Sequence, residues 1–252
     1  METEIDERGV KGPFDQPKSR FRNLTLLDSE KVDLSAPSKS LILFHKYWSR
    51  LLVMYTTTDL TKASDKLVAI NGIISKFQKA TRFTPLAGLW KDMLPAELLW
   101  KVNKPSELPL AKEYRAPSWC WASVDSGITH QFVKLFEDSH KLSWELDVLQ
   151  AEATTAPNGQ VSSASIHLRG PLRKFQRASK NADEGYMVSP EIWSPDTGVY
   201  DASEDFYALL ILRTGLNDLR DTGAGLELQM CDAGLILAPV EGTKNVFRRR
   251  GY

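Results

Sequence analysis

Apolar residues recur at helical spacing in the first half of the chain. From Ser38 onward they fall three and four positions apart, which places them on one helix face; they are Leu41, Phe44, Trp48, Leu51 or Leu52, and Tyr55. Ser38 or Ser40 can cap the start by accepting a hydrogen bond from an unpaired backbone N–H. The β-branched residues 56–58 weaken helix beyond that point. The pattern therefore predicts one amphipathic helix over this stretch.

A second amphipathic helix is predicted after the first. Thr61 or Ser64 can cap it, and Asp65 lies near the positive end of its dipole. Its apolar face consists of Leu67, Ile70, Ile73 or Ile74, and Phe77. A short third helix is expected over 95–101, because proline suits the first helical position. These helices make up a predicted helical subdomain, residues 38–112, which follows an irregular polar arm over 1–37.

The second half of the chain alternates between short apolar runs and turn residues, which is typical of antiparallel strands. Strands are predicted over 144–151, 161–170, 206–214 and 226–239, with turn residues at 157–159, 170–171, 221–223 and 232–234. Residues 177–204 show little pattern and are predicted to form a long loop. The predicted fold class is α+β, with an N-terminal helical subdomain packed on a C-terminal antiparallel β-barrel or β-sandwich, residues 113–252.

Composition narrows the class of protein. The chain has 32 Lys or Arg and 32 Asp or Glu residues, so it lacks the basic excess of a nucleic-acid-binding protein. Its charged N-terminus lacks the apolar core of a secretory signal, and no apolar run approaches the roughly 18 residues that span a membrane. Cys120 and Cys231 are too few for a disulfide scaffold. We therefore expect a cytoplasmic protein that binds neither nucleic acid nor membrane.

The sequence contains no familiar cofactor or metal motif. The histidines lack the spacing of a metal site; they are His45, His130, His140 and His167. Residues 223–225 begin like a dinucleotide fingerprint but lack its third glycine and its βαβ context. Arginines 248–250 are interpreted as a solvated chain end. We therefore expect no cofactor and no metal.

The segment 114–123, Tyr-Arg-Ala-Pro-Ser-Trp-Cys-Trp-Ala-Ser, marks the junction between the two halves. If the segment is extended, Trp119 and Trp121 point to the same side. Cys120 between them is interpreted as a buried, inert thiol rather than a nucleophile. Five tryptophans are concentrated between the helices and this junction: Trp48, Trp90, Trp100, Trp119 and Trp121. They either form an interdomain core or line a pocket at the helix–sheet boundary.

Five segments of the chain occur in an order typical of one protein family. The first three are 48–73, 86–100 and the junction 114–123, and the last two are 233–240 and 246–252. Together they resemble the region downstream of the HET (heterokaryon incompatibility) domain in fungal HET-domain proteins. The resemblance runs from about residue 40 to the end, with Cys120 where a Ser is usual. We find no counterpart of the HET domain itself in this sequence, so the cell-death signal attributed to that domain is not carried over.

Two functions of different classes fit this sequence. The first is a cofactor-independent enzyme of fungal secondary metabolism, which binds an apolar terpenoid- or polyketide-like intermediate and templates a cyclisation such as a cycloaddition. Its expected donors are Tyr114, Arg115 and Trp121, and its expected pocket walls are Trp48, Tyr55, Trp90, Trp100 and Trp119.

The second function is a non-enzymatic, HET-derived interaction or regulatory module that binds a HET-domain protein. A third interpretation is a degenerate gene product that folds but has no task. A cavity lined by the tryptophans favours the enzyme, and a solid core favours the module.

Overall fold

The computed structural model describes residues 32–34, 36–58, 62–105, 114–175, 196, 205–221 and 226–251. Over these residues the fold is α+β, and the strands pair in antiparallel fashion. Most of the predicted arm over 1–37 and nearly all of the predicted loop over 177–204 lie outside the described residues. The predicted domain boundaries stay predictions.

Helix α1 spans Lys39–Thr56 and confirms the first predicted helix. Ser38 is its N-cap, because the Ser38 hydroxyl accepts a hydrogen bond from the Leu41 N–H at 3.2 Å. Leu52, rather than Leu51, belongs to the buried face. The complete buried set on this helix is Leu41, Phe44, His45, Trp48, Leu52 and Thr56.

Helix α2 spans Lys66–Thr81 and follows a single 3-10 turn, Ala63–Asp65. Its N-cap position is Asp65 rather than Ser64, and the other predicted cap, Thr61, lies outside the described residues. Ile74 is buried with the rest of the predicted apolar face, whereas Ile73 is 38% exposed. The second predicted helix is therefore confirmed, and Ile74 is the member of the Ile73/Ile74 pair that faces the core.

The third predicted helix, over 95–101, is present only as a single 3-10 turn, Ala96–Leu98, with Pro95 at its N-cap position, and it does not reach residue 101. A short antiparallel pair, β1 (Pro85–Leu86) and β2 (Leu89–Trp90), leads into two 3-10 turns, Lys91–Met93 and Ala96–Leu98. Strand β3, Trp100–Val102, follows and pairs with β4, Ile128–His130, so that Trp100 lies opposite His130. The helical turn that Pro95 starts is therefore short, because a strand with a long-range partner follows it.

The second half of the chain is built mainly of strands. After β4 come helix α3 (Phe132–Asp138) and seven strands: β5 (Ser139–Trp144), β6 (Asp147–Thr155), β7 (Val161–Arg169), β8 (Leu172–Phe175), β9 (Phe206–Asp221), β10 (Leu226–Pro239) and β11 (Phe247–Gly251). One open sheet has the order β11-β10-β9-β5, with β8 also paired to β9, and β6 and β7 form a separate hairpin. In the described part of the chain, no sheet closes into a barrel.

Two details of the strand prediction are wrong. The predicted strand over 144–151 is divided, because β5 ends at Trp144 and β6 begins at Asp147. The turn signal at 232–234 lies inside β10, where the pairing register with β9 shifts between Ala233 and Gly234. A Cβ at Gly234 would lie 2.2 Å from the Leu209 carbonyl oxygen, so this glycine permits close backbone approach rather than a turn.

The hydrophobic core joins both halves of the chain. It includes Trp48 of α1, Trp121 of the junction and Leu212 of β9 in one cluster. The β3–β4 pair adds backbone hydrogen bonds across the predicted boundary at 112/113. Trp121 of the junction thus packs against elements from both sides of that boundary.

Candidate functional site

The tryptophans predicted to wall a pocket are packed inside the core. Trp48, Trp90, Trp100 and Trp121 are each 0% exposed, so none of these four side chains borders a void large enough for water. Their rings meet edge to face: the Trp48 and Trp90 centroids lie 5.3 Å apart at 68°, and those of Phe44 and Trp90 lie 5.8 Å apart at 69°. Such pairs add about 0.5–1.5 kcal/mol each beyond the area that they bury.

The junction is not extended around its tryptophans. Residues Trp121–Ser123 form a 3-10 turn, so Trp121 is buried while Trp119 is only partly covered. The Trp121 indole N–H donates to the Gly88 carbonyl at 2.7 Å. Gly88 has φ of 88°, and a Cβ there would lie 2.8 Å from a Leu67 methyl carbon, so the indole is held against a position that requires glycine.

The two partly buried residues of the predicted wall are also held by the fold. The Tyr55 hydroxyl donates to the Lys66 carbonyl at 2.6 Å, and its ring lies edge-on to Trp121. Burial, followed by the charge of Asp65, raises the pKa of Tyr55. The Trp119 carbonyl accepts a hydrogen bond from the Trp100 indole at 3.0 Å.

The three predicted donors lie in different environments. Arg115 is buried, and its guanidinium donates at 2.7 Å to the Asp125 carboxylate and at 2.7 Å to the Ser123 carbonyl. Trp121 is fully buried, as described above. Tyr114 is 52% exposed, and its partial burial, followed by Cys120, raises its pKa, so its hydroxyl stays protonated at neutral pH. Only Tyr114 presents a donor to solvent.

A small charged cluster ties the junction to α2. The Lys66 ammonium donates to the Val124 carbonyl and lies 3.4 Å from the Asp125 carboxylate, which Arg115 also contacts. Burial lowers the pKa of Lys66, and Asp125 opposes that effect. For Asp125, burial favours a higher pKa, but the hydrogen bond and charge of Arg115, with the charge of Lys66, outweigh it and hold the pKa below its ordinary value.

The Cys120 thiol is buried, as predicted. Its side chain is 0% exposed, and its sulfur accepts a hydrogen bond from the Ala122 N–H at 3.2 Å. Burial raises the pKa of Cys120 to about 12, so the nucleophilic thiolate is scarce at neutral pH.

A buried group of metal-ligand type lies beside this aromatic core. It consists of His45 on α1, Glu97 in the Ala96–Leu98 turn and His130 at the end of β4, whose ligand atoms all lie within 4.8 Å of one another. His45 and Glu97 are fully buried. His130 as a whole residue is partly exposed, but both of its ring nitrogens are covered. The four histidines therefore do include a close pair, with ring centroids 5.1 Å apart.

Some polar atoms of this group have hydrogen-bond partners. His45 Nδ1 lies 3.0 Å from the Ser49 hydroxyl, and Glu97 Oε2 accepts from the Trp48 indole and the Trp90 backbone N–H, both at 3.3 Å. Burial, followed by His45 and Arg249, holds the pKa of His130 well below its ordinary value, so this ring is neutral.

Other polar atoms of the group have none. Within the described residues, His45 Nε2, Glu97 Oε1 and both ring nitrogens of His130 lack a hydrogen-bond partner. His45 Nε2 and Glu97 Oε1 are nevertheless only 3.3 Å apart. Buried polar atoms without partners are rare in folded proteins, so this group needs an explanation.

A second buried charged group lies close by, around Arg249 of β11. The interpretation of 248–250 as a solvated chain end is wrong for Arg249, which is 2% exposed. Its guanidinium donates to Asp196 at 3.0 Å, to the Leu98 carbonyl at 3.0 Å and to the Trp100 carbonyl. It also stacks 3.3 Å above the Trp100 ring. Burial raises the pKa of Asp196, and the Arg249 charge opposes that effect.

Sequence reasoning missed His45, Glu97, His130 and Arg249 because they come from distant parts of the chain. No short motif links them, and metal-site motifs are recognised by short spacings. One local signal was present: His45 follows Phe44 and precedes Trp48 by three residues, which places it on the buried side of α1. His130 and Glu97 come close to His45 only in the folded chain, through the β3–β4 pairing and the turn that precedes β3.

No protein-family model, curated protein or solved structure matches this chain. Among the described residues, no helix combines the length and the apolar character needed to cross a bilayer.

Proposed function

We propose that this chain is a non-enzymatic interaction module of the kind found downstream of the HET domain, and that it binds a HET-domain protein. The observation that carries the proposal is the solid aromatic core, in which Trp48, Trp90, Trp100 and Trp121 have no exposed surface. An enzyme that templates an apolar substrate needs accessible aromatic walls, whereas an interaction module does not. A sandwich arrangement of the strand-rich half and a cytoplasmic location belong to the same proposal.

The exposed aromatic residue of the junction is the best candidate contact. Tyr114 is 52% exposed and begins the segment that most strongly supports the HET resemblance. Tyrosine is enriched among the residues that dominate binding energy at protein interfaces. The neighbouring Arg115 is engaged with Asp125, so it supports the backbone at this point rather than reaching outward.

A cofactor-independent cyclase of fungal secondary metabolism is the second candidate. It is favoured by one observation, the exposed and protonated Tyr114 hydroxyl, which can donate to a substrate carbonyl. The other two expected donors support it less, because Arg115 and Trp121 are buried and donate to Asp125, Ser123 and Gly88.

Binding to purified fungal HET-domain proteins, measured by titration calorimetry with the full chain, tests the first candidate. We expect saturable binding that Tyr114→Ser weakens by about tenfold or more, as for a hot-spot residue. Leu149→Ser is the matched control, since Leu149 is another exposed apolar side chain, 59% exposed on β6. Its variant should bind like the original chain.

Two results contradict the interaction module. Faster cyclisation of an acyclic polyene carbonyl compound than in buffer, lost in Tyr114→Phe, would support the cyclase instead. If the chain neither binds a HET-domain protein nor changes the cyclisation rate, both candidates fail. The interpretation as a degenerate gene product that folds but has no task would then stand.

A further inference from the structure

We propose that His45, Glu97 and His130 bind a divalent transition-metal ion, with zinc as the ion that best suits two imidazoles and one carboxylate. The proposal does not depend on the function proposed above. It rests on the direction of hydrogen bonds, on one interatomic distance and on the polar atoms left without partners.

The first step concerns the proton on His45. The Ser49 hydroxyl lies 2.6 Å from the His45 carbonyl oxygen, which can only accept, so the single Ser49 proton is used there. Ser49 must then accept from His45 Nδ1–H at 3.0 Å. In a neutral ring this leaves Nε2 with its lone pair, which is the form in which histidine binds metals.

The second step is the contact between His45 Nε2 and Glu97 Oε1. The two atoms lie 3.3 Å apart, yet neither has a hydrogen-bond partner among the described residues, so they are close without being aligned as donor and acceptor. Two lone-pair atoms at this distance repel each other unless a positive charge lies on or between them. Ligand atoms around a tetrahedral zinc ion, with bonds of about 2.0–2.1 Å, are separated by about 3.3 Å.

The third step adds His130. Its two ring nitrogens are covered and have no hydrogen-bond partner among the described residues, which is costly for a buried imidazole. All ligand atoms lie within 4.8 Å of one another, whereas bonds of about 2.1 Å hold ligand atoms no more than about 4.2 Å apart. Binding therefore requires at most a small inward movement of the ligands.

Hydrogen bonds with neighbouring groups hold His45 and Glu97 in place. Ser49 fixes the His45 ring, and the Trp48 indole and Trp90 backbone N–H hold Glu97 Oε2, which leaves Oε1 for the ion. Hydrogen bonds of this kind orient metal ligands in known sites. Three protein ligands leave a fourth position for water or a small anion.

Metal content tests the proposal directly. Full-length protein without a histidine tag is loaded with Zn²⁺, freed of excess ion and analysed by mass spectrometry, with about one ion expected per chain. His130→Phe should lose the bound zinc. His167→Phe, which changes an exposed histidine of β7, should keep it and is the matched control.

Cobalt provides a second measurement that needs no variant. Co²⁺ should bind in place of zinc and give the visible absorption of a tetrahedral site, and a chelator should remove the absorption and lower the melting temperature. Substoichiometric metal in the original chain, or equal metal in His130→Phe, would overturn the proposal.

Discussion

Two buried polar groups meet at the short segment 97–100, and they differ in how completely their atoms are used. Arg249 bonds Asp196 and the carbonyls of Leu98 and Trp100. The neighbouring group of His45, Glu97 and His130 leaves four nitrogen and oxygen atoms without hydrogen-bond partners in the part of the chain that the structure describes. A buried charge whose donors are all directed at protein acceptors serves the fold. A buried group whose nitrogen and oxygen ligand atoms all lie within 4.8 Å of one another is arranged to bind a metal ion.

Among the variants that test this comparison, Arg249→Met should have the largest effect on stability. Removal of the guanidinium leaves the buried Asp196 carboxylate and two carbonyls without their donor, so we expect a loss of about 3–5 kcal/mol in the free energy of unfolding. Urea denaturation measures it.

The matched control for that variant is Arg169→Met. Arg169 pairs with Asp147 at 2.8 Å, but the two side chains are 71% and 63% exposed, so the expected loss is about 0–1 kcal/mol. Similar losses for the two variants would break the distinction between the buried and the exposed pair.

A smaller effect is expected from Ser49→Ala, which tests the proposed ligand role of the group formed by His45, Glu97 and His130. Without the hydroxyl, His45 Nδ1 loses its acceptor and the ring loses its fixed orientation, so the Kd for zinc should rise by about 10- to 100-fold. Zinc titration against a competing chelator measures it. Ser49→Thr keeps a hydroxyl and should restore tight binding; equal affinity in the alanine variant would contradict a positioning role.

The smallest effect is expected from Asp125, a half-exposed partner of two buried cations. Because its pKa is held below the ordinary value of 3.8, its stabilising contribution is present above that pH and disappears as the pH falls through the lowered pKa. Asp125 is 54% exposed, so Asp125→Asn should cost no more than about 1 kcal/mol at pH 7. Unfolding measured down to pH 3 should show the gap closing; a gap that widens in acid would reverse the sign.

The sequence predicts the first two helices well because their signals are local. The three- and four-residue steps from Leu41 to Tyr55 and the cap at Ser38 describe α1 closely. The strand-rich half is predicted in outline for the same reason, since alternation and turn residues mark β7 and the turn at 157–159.

Where local signals failed, long-range contacts decided the structure. Pro95 does start a helical turn, Ala96–Leu98, but the pairing of Trp100 with His130 makes a strand where the helix was predicted to continue. Gly234 reads as a turn, but the approach of the Leu209 carbonyl makes it part of β10. The metal-type group is the extreme case, because α1, the Ala96–Leu98 turn and β4 supply one ligand each.

The β3–β4 pair also gives the intervening chain a closed topology. The junction lies between these two strands in the sequence, and backbone hydrogen bonds join Trp100–Val102 to Ile128–His130. A single cut between the two strands would break the chain, but the paired strands could still hold the two fragments together. The two fragments would retain complementary strands and each would carry ligands of the same group, so reassembly of separately produced halves would report directly on how the site is put together.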